Sequence, residues 1–462
     1  MSRRRSTTLA ALAVVACALF VTAAAAAPGK LDPGFGNGGV AVTAAAPGAG
    51  EDGQNGLAIQ RDGQVVVGGS SDMGPAAGGH QWRISRYTHK GELDGKFGVG
   101  GTVTTSMSSA GGFDEHVWNL ALDQSGRIVA AGDAVTATGG FDVAVARFNA
   151  DGTLDSSFGT AGKVTTAVGP GTRRDRAHDV AVLDDGKILV AGFADMGPGR
   201  GGRNFMLARY NSDGSLDSTF GGGGVVVTPV APGDNTDVVT TNGLTIDSAG
   251  RIVVTGQANM GAGAGGFNAA LARYLPSGVL DSSFDGDGVV TIAVASADNF
   301  DTLVGAAINA DGTIVAAAAA EAEAFLFDLA LLRYNADGSL DTSFGSSGKA
   351  TLNVGPGNTD DLPQDLVVQS TGKILVGGGV AATAVGVDSD FLVARFNANG
   401  SLDTSFGTGG IVRTSTAPGA ADDEIFEIAL QSDAKLIASG ECEQPSTGRD
   451  VCVARYQVGE AD

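Results

Sequence analysis

Cysteine is nearly absent: the chain has three, Cys17, Cys442 and Cys452. Aromatic residues make up only 6% of it, with two tryptophans, and there are four histidines, His80, His89, His116 and His178. None of the histidines stands at a metal-binding spacing from another histidine or a cysteine, so a zinc site of the usual spacing is excluded. No segment carries helical periodicity, no Gly-x-Ser-x-Gly elbow stands in a strand–turn–helix context, and no phosphate loop occurs. Basic residues are outnumbered, 29 against 51 acidic, for a net charge of −22. That balance excludes nucleic acid and anionic membrane as partners, since both demand a positive surface.

One apolar run stands at the start. Arg3, Arg4 and Arg5 precede Leu9 to Val21, followed by small residues up to Ala27. This is the pattern of a secretory signal peptide over residues 1–26, with cleavage after Ala26. Val14-Val15-Ala16-Cys17 reads loosely as a lipobox, but the apolar run continues past Cys17. No other segment is apolar for long enough to span a bilayer. Residues 27–462 are therefore expected as one secreted or periplasmic domain. Export permits a disulfide between Cys442 and Cys452; two buried thiols is the other reading. Their Cα separation decides.

What the chain has in abundance is repetition. Leu-Asp-x-x-Phe begins at Leu31, Leu93, Leu154, Leu216, Leu280, Leu340 and Leu402, at intervals of 60 to 64 residues. An Arg followed by Tyr or Phe recurs seven times, from Arg86-Tyr87 to Arg455-Tyr456. Between these markers lie polar turns such as Asp185-Gly186, the strongest short hairpin signal. In the third unit they delimit four strands, at His178–Leu183, Lys187–Ala191, Asn204–Tyr210 and Gly224–Thr228. Seventy-three glycines suit an all-β chain of tight connections.

Four-stranded units repeated seven times predict a seven-bladed β-propeller. The rival, an open solenoid, requires caps at both ends. The chain instead begins with a lone fourth strand, Gly39–Thr43, and ends after a third, Val451–Tyr456. The N-terminal strand thus completes the last blade and removes two open edges. In six blades an Asp follows the repeat Arg by eight residues, as in Arg147 and Asp155. Arg455 has no such Asp after it and Asp32 no such Arg before it, so the two are expected to meet where the ring closes.

The Asp-Gly-Lys-Ile-Leu-Val hairpins, Ala-Arg-Tyr-Asn strands and Leu-Asp-x-x-Phe-Gly turns resemble the delta-60-repeat β-propellers of bacterial exported proteins, over nearly the whole mature chain. The resemblance implies the fold and carries no catalytic residues, because that family's domain is of unknown function.

The turns within each hairpin are short and alike, whereas the connections on the other face vary, as in Ser70–Gly79, Ala194–Arg203 and Glu443–Arg449. The variable face is the expected binding surface. An acid recurs there before the first strand of six units: Asp52, Glu115, Asp175, Asp301, Asp361 and Asp423. The fourth unit has Val239 in that place, with Asp237 nearby. Such carboxylates either satisfy backbone N–H groups or line a mouth for a cation such as Ca²⁺. A second ring, Asp142, Asn204, Asn268, Asp328, Asp390 and Asp450, precedes the repeat Arg. The Arg/Asp pairs are expected to be structural. The functional expectation is a monomeric, non-catalytic module that binds an extracellular protein, peptide or glycan. The alternative is a carbohydrate-active hydrolase or lyase with acids at the central mouth.

Overall fold

A computed structural model describes residues 27–44, 52–73, 79–108, 115–136, 139–170, 173–198, 202–232, 236–261, 266–295, 300–323, 326–355, 359–383, 388–416, 422–444 and 447–459. Signal-like residues 1–26 lie outside that set. The described residues form 28 strands and no helix, in seven four-stranded antiparallel sheets. Blades 1 to 6 are each continuous in sequence, over 52–105, 117–166, 176–228, 237–292, 301–352 and 361–414. The fold is the seven-bladed propeller.

In blade 3 the four strands are Arg176–Val182, Ile188–Gly197, Gly202–Tyr210 and Val225–Thr228. The second strand runs further than the turn residues suggest. It stays paired with the third as far as Gly197 opposite Gly202, through a bulge that the Gly-rich loop accommodates. Blade 7 joins Asp423–Gln431, Lys435–Gln444 and Gly448–Gln457 to Val40–Thr43, with Val40 opposite Ala454 and Thr43 opposite Val451. The two ends of the chain therefore share one sheet, and the ring is closed.

The core lies between blades. The motif phenylalanines Phe35, Phe97, Phe158, Phe220, Phe284, Phe344 and Phe406 are all fully buried, each contributing about 2 kcal/mol by burial. Over each of these rings lies a repeat guanidinium, 4.4 to 4.8 Å from the ring centre. The same Arg holds the motif Asp, as Arg147 Nε does Asp155 Oδ2 at 2.8 Å. It also donates to a turn carbonyl of the following blade, as Arg147 Nη1 does to Ser212 O at 2.6 Å. Arginine's fork makes both bonds at once, so the recurring Arg, Asp and Phe together staple blade to blade.

Cys442 and Cys452 form a disulfide, with Cα atoms 5.8 Å apart. They stand diagonally across the central hairpin of blade 7, Cys442 opposite Asp450 and Cys452 opposite Gly440.

Candidate functional site: the channel mouth

The first strand of every blade lines the central channel, and each carries a break in register near its start. Just before that break stand the predicted acids. Their carboxylates turn away from the channel and accept backbone N–H groups of the preceding connection. Glu115 accepts from Met107 and Ser108, both at 2.7 Å. Asp175 accepts from Val168 at 2.9 Å and Gly169 at 2.6 Å, and Asp423 from Thr416 at 2.7 Å. Asp301 and Asp361 do the same with Val294 and Val354. Burial raises the pKa of Asp361 to about 6, against the lowering effect of those N–H groups. Asp52 begins its strand, and its side chain is outside the described residues. In the fourth blade it is Asp237, not the position of Val239, that completes the ring, accepting from Val230 at 2.8 Å and Ala231 at 2.9 Å. The alignment slips there because blade 4 inserts Thr240–Gly243 at the register break, where other blades bulge by one residue.

The acids repeat, but the channel wall beside them does not. One residue after the acid stand His116, Arg176, Thr302, Leu362 and Glu424 in blades 2, 3, 5, 6 and 7. Three residues after it stand Trp118, His178, Val304, Gln364 and Phe426. These side chains alternate with buried ones and are half-buried toward the channel, apart from the better buried Thr302 and Val304. A single scaffold thus presents different chemistry on each side of one mouth.

Blades 2 and 3 form a cationic, aromatic side. Asp133, fully buried, accepts from the His116 backbone N–H at 3.1 Å and from Trp118 Nε1 at 3.0 Å. Arg176 Nε lies 3.0 Å and His116 Nδ1 3.6 Å from the same carboxylate. Although burial opposes its charge, the His116 and Arg176 partners and the Trp118 N–H hold the Asp133 pKa below its usual value. The rings of His80, His116, Trp118, His178 and Phe193 follow one another at 5.1 to 5.8 Å. Arg176 lies over Trp118 and Phe141, Arg174 over Phe141, and Arg203 over Phe193. His178 Nδ1 is 2.6 Å from Val239 O. Desolvation, aided by Arg176, lowers its pKa to about 4, so the ring is neutral.

Blades 6 and 7 form an acidic side. A pocket of about 230 Å³ is lined by Asp360, Leu362, Asp388, Asp422, Glu424, Glu441 and Arg449. Glu424 and Glu441 are cross-strand partners; burial raises both pKa values. Between the two sides a pocket of about 400 Å³ is walled by His178, Val239, Thr240, Gln257, Phe300, Phe327, Leu362 and Gln364, a size that suits a small ligand.

Deeper in, Asn242 of the blade 4 insertion adopts φ of 61° and reaches across the axis. Its amide donates to Phe426 O at 2.8 Å and accepts from Asn119 Nδ2 at 2.9 Å. Around it Asp179, Asp365 and Glu427 tie neighbouring first strands together. Asp179 accepts from Leu244 N at 2.8 Å and Asp365 from Ile428 N at 2.9 Å. Burial raises the pKa of all three acids, that of Asp179 to about 7.

Among the described residues no group of three or more His, Cys, Asp or Glu is placed to hold a metal ion. His89 lies outside the mouth, in the turn between the third and fourth strands of blade 1, and its carbonyl accepts Arg455 Nη1 at 2.8 Å. His116, Trp118, Arg176 and His178 carry no periodic signal. What marks them in the sequence is that the positions one and three residues after the repeated acid differ from unit to unit.

Six segments, 60–97, 124–158, 183–220, 250–284, 309–344 and 369–406, match a family described as a β-propeller domain of unknown function (DUF5122). No curated protein sequence matches the chain. A protein of unknown function from Dyadobacter fermentans is similar in structure, with 12% identity, 92% of this chain and 100% of that one covered, and a TM-score of 0.49. An ulvan lyase shows 13% identity, 91% and 96% coverage, and a TM-score of 0.48. An α-L-arabinanase from Penicillium chrysogenum shows 10% identity, 92% and 99% coverage, and a TM-score of 0.47. Identities this low assign no activity.

Proposed function

We propose that this chain is an exported, non-catalytic propeller of the delta-60 type that binds its ligand at the open end of the channel, on the face of variable connections. The observation that supports this is the contrast within one strand. The acid and staple positions repeat around the ring, while the wall positions beside the acid change from His116 to Arg176 to Glu424. A scaffold needs the first kind of residue and has no use for the second. Export rests on the signal-like residues 1–26. The test is binding of soluble glycans, peptides and proteins to the purified chain and to Trp118→Ala. A saturable ligand lost in the variant supports the reading, and a ligand indifferent to it speaks against the mouth as the site.

A second reading is a carbohydrate-active hydrolase or lyase, favoured by Glu424 and Glu441. Two neighbouring carboxyls with raised pKa in one pocket suit general acid–base work. Release of new reducing ends by the native chain and not by Glu441→Gln would decide for it.

A further inference from the structure

Resting on the binding reading above, we infer that the blade 2–3 side of the mouth is a subsite for an acidic sugar, whose carboxylate or sulfate meets Arg174, Arg176 and Arg203 and whose pyranose face meets the neighbouring rings. The arginines are a local exception. In a chain of net charge −22, Arg173, Arg174, Arg176 and Arg203 all fall in or beside the two mouth connections of blade 3. The repeated staple positions do not account for them, and of the four only Arg173 and Arg176 pair with a carboxylate among the described residues, Asp195 and Asp133. At the positions of Arg174 and Arg176 the other blades carry residues such as Asp360 and Leu362 or Asp422 and Glu424, and at that of Arg203 only blade 7 has an arginine, Arg449.

Their setting suits recognition rather than solubility. Arg174 is exposed, and Arg176 and Arg203 are half-buried. All three rest on aromatic faces at 4.9 to 5.5 Å. A guanidinium stacked by its face keeps its N–H edge for an oxyanion and loses little entropy when it binds one. Asp133 takes one edge of Arg176 at 3.0 Å and Asp195 lies 3.4 Å from Arg173. Asp175 is spent on backbone N–H groups, and Asp142 stands near it, the carboxylate with the raised pKa. Beside the arginines the half-buried rings of His116, Trp118 and His178 follow one another at 5.7 and 5.1 Å, tilted by 37° and 50°. The C–H face of a sugar packs on such rings, whereas an acidic peptide would use the arginines alone. Across the mouth the acidic side repels the same anion, which fixes the direction in which it lies.

The test is calorimetric titration of the purified chain with an oligogalacturonate, a sulfated galactan, a neutral galactan and poly-L-glutamate, at low and physiological salt. Arg174→Ala/Arg203→Ala and Trp118→Ala are compared with the native chain after their thermal unfolding is shown to be native-like. The expected result is binding of one or both acidic glycans, weakened by salt, and weakened about tenfold or more in each variant. The carboxylated and sulfated arms say which anion is preferred. Equal affinity for the neutral galactan overturns the inference, as does poly-L-glutamate binding that is at least as tight and indifferent to Trp118→Ala. Failure of both acidic glycans overturns it too; if another ligand is then lost in Trp118→Ala, the binding reading survives alone.

Discussion

Asp32 and Arg455 meet at 2.7 Å, with the Phe35 ring beneath the guanidinium. The contact repeats the Arg147–Asp155 staple, but here it joins the first described turn to the last strand. Removing the Asp leaves a largely buried guanidinium with fewer partners. Asp32→Ala is expected to cost about 2 kcal/mol, read as a lower urea midpoint with an unchanged slope.

Within the same blade the disulfide closes a short loop, its cysteines 10 residues apart. Cys442→Ser/Cys452→Ser is expected to lose about 2 kcal/mol, mainly by freeing the unfolded chain. Denaturant unfolding with and without reductant gives the check: the reductant should act on the native chain and leave the double variant unchanged.

The acids around Asn242 make stability fall as pH rises. Their folded pKa values stand above the unfolded ones, so their contribution is complete below about pH 4 and is lost as pH climbs through the folded values, about 7 for Asp179. Glu427→Gln is expected to stabilise the protein near pH 8 and to change little near pH 5. A Glu427→Gln profile parallel to the native one would count against this account.

The staple carboxylates behave oppositely. The Ser157 hydroxyl and N–H and the Arg147 guanidinium lower the Asp155 pKa to about 2 although burial opposes them. Its contribution is present above about pH 4 and disappears as pH falls toward 2. Asp155→Asn is therefore expected to cost about 1 kcal/mol at neutral pH, after allowance for solvent screening, and little near pH 2.

Calcium should not raise the unfolding midpoint. The carboxylates of Glu115, Asp175, Asp301, Asp361 and Asp423 already accept backbone N–H groups, leaving too few free oxygens for a six-ligand ion. Equal midpoints in Ca²⁺ and EDTA are expected; a rise in Ca²⁺ would return the acids to the binding surface.

The propeller could be read from the sequence because its scaffold is written seven times: the same Arg, Asp and Phe meet at every blade junction, so their spacing carried the geometry. The mouth was harder for the same reason. His116, Trp118, Arg176 and His178 occur once each at their positions and give no periodic signal. Spacing also does not say which way a carboxylate turns, and the acids of the variable face turn to the backbone. The insertion of Thr240–Gly243 was hidden because it lengthens the fourth unit by so little, to 64 residues from Leu216 to Leu280, while moving an asparagine onto the axis.

That asparagine changes what kind of vessel the ring is. With Asn242 bridging Asn119 to Phe426 across its middle, the channel is barred part-way down by hydrogen bonds between opposite blades. A polymer passing along the axis would have to break those bonds, whereas an end, a branch or a side group can fill the mouth and leave them intact.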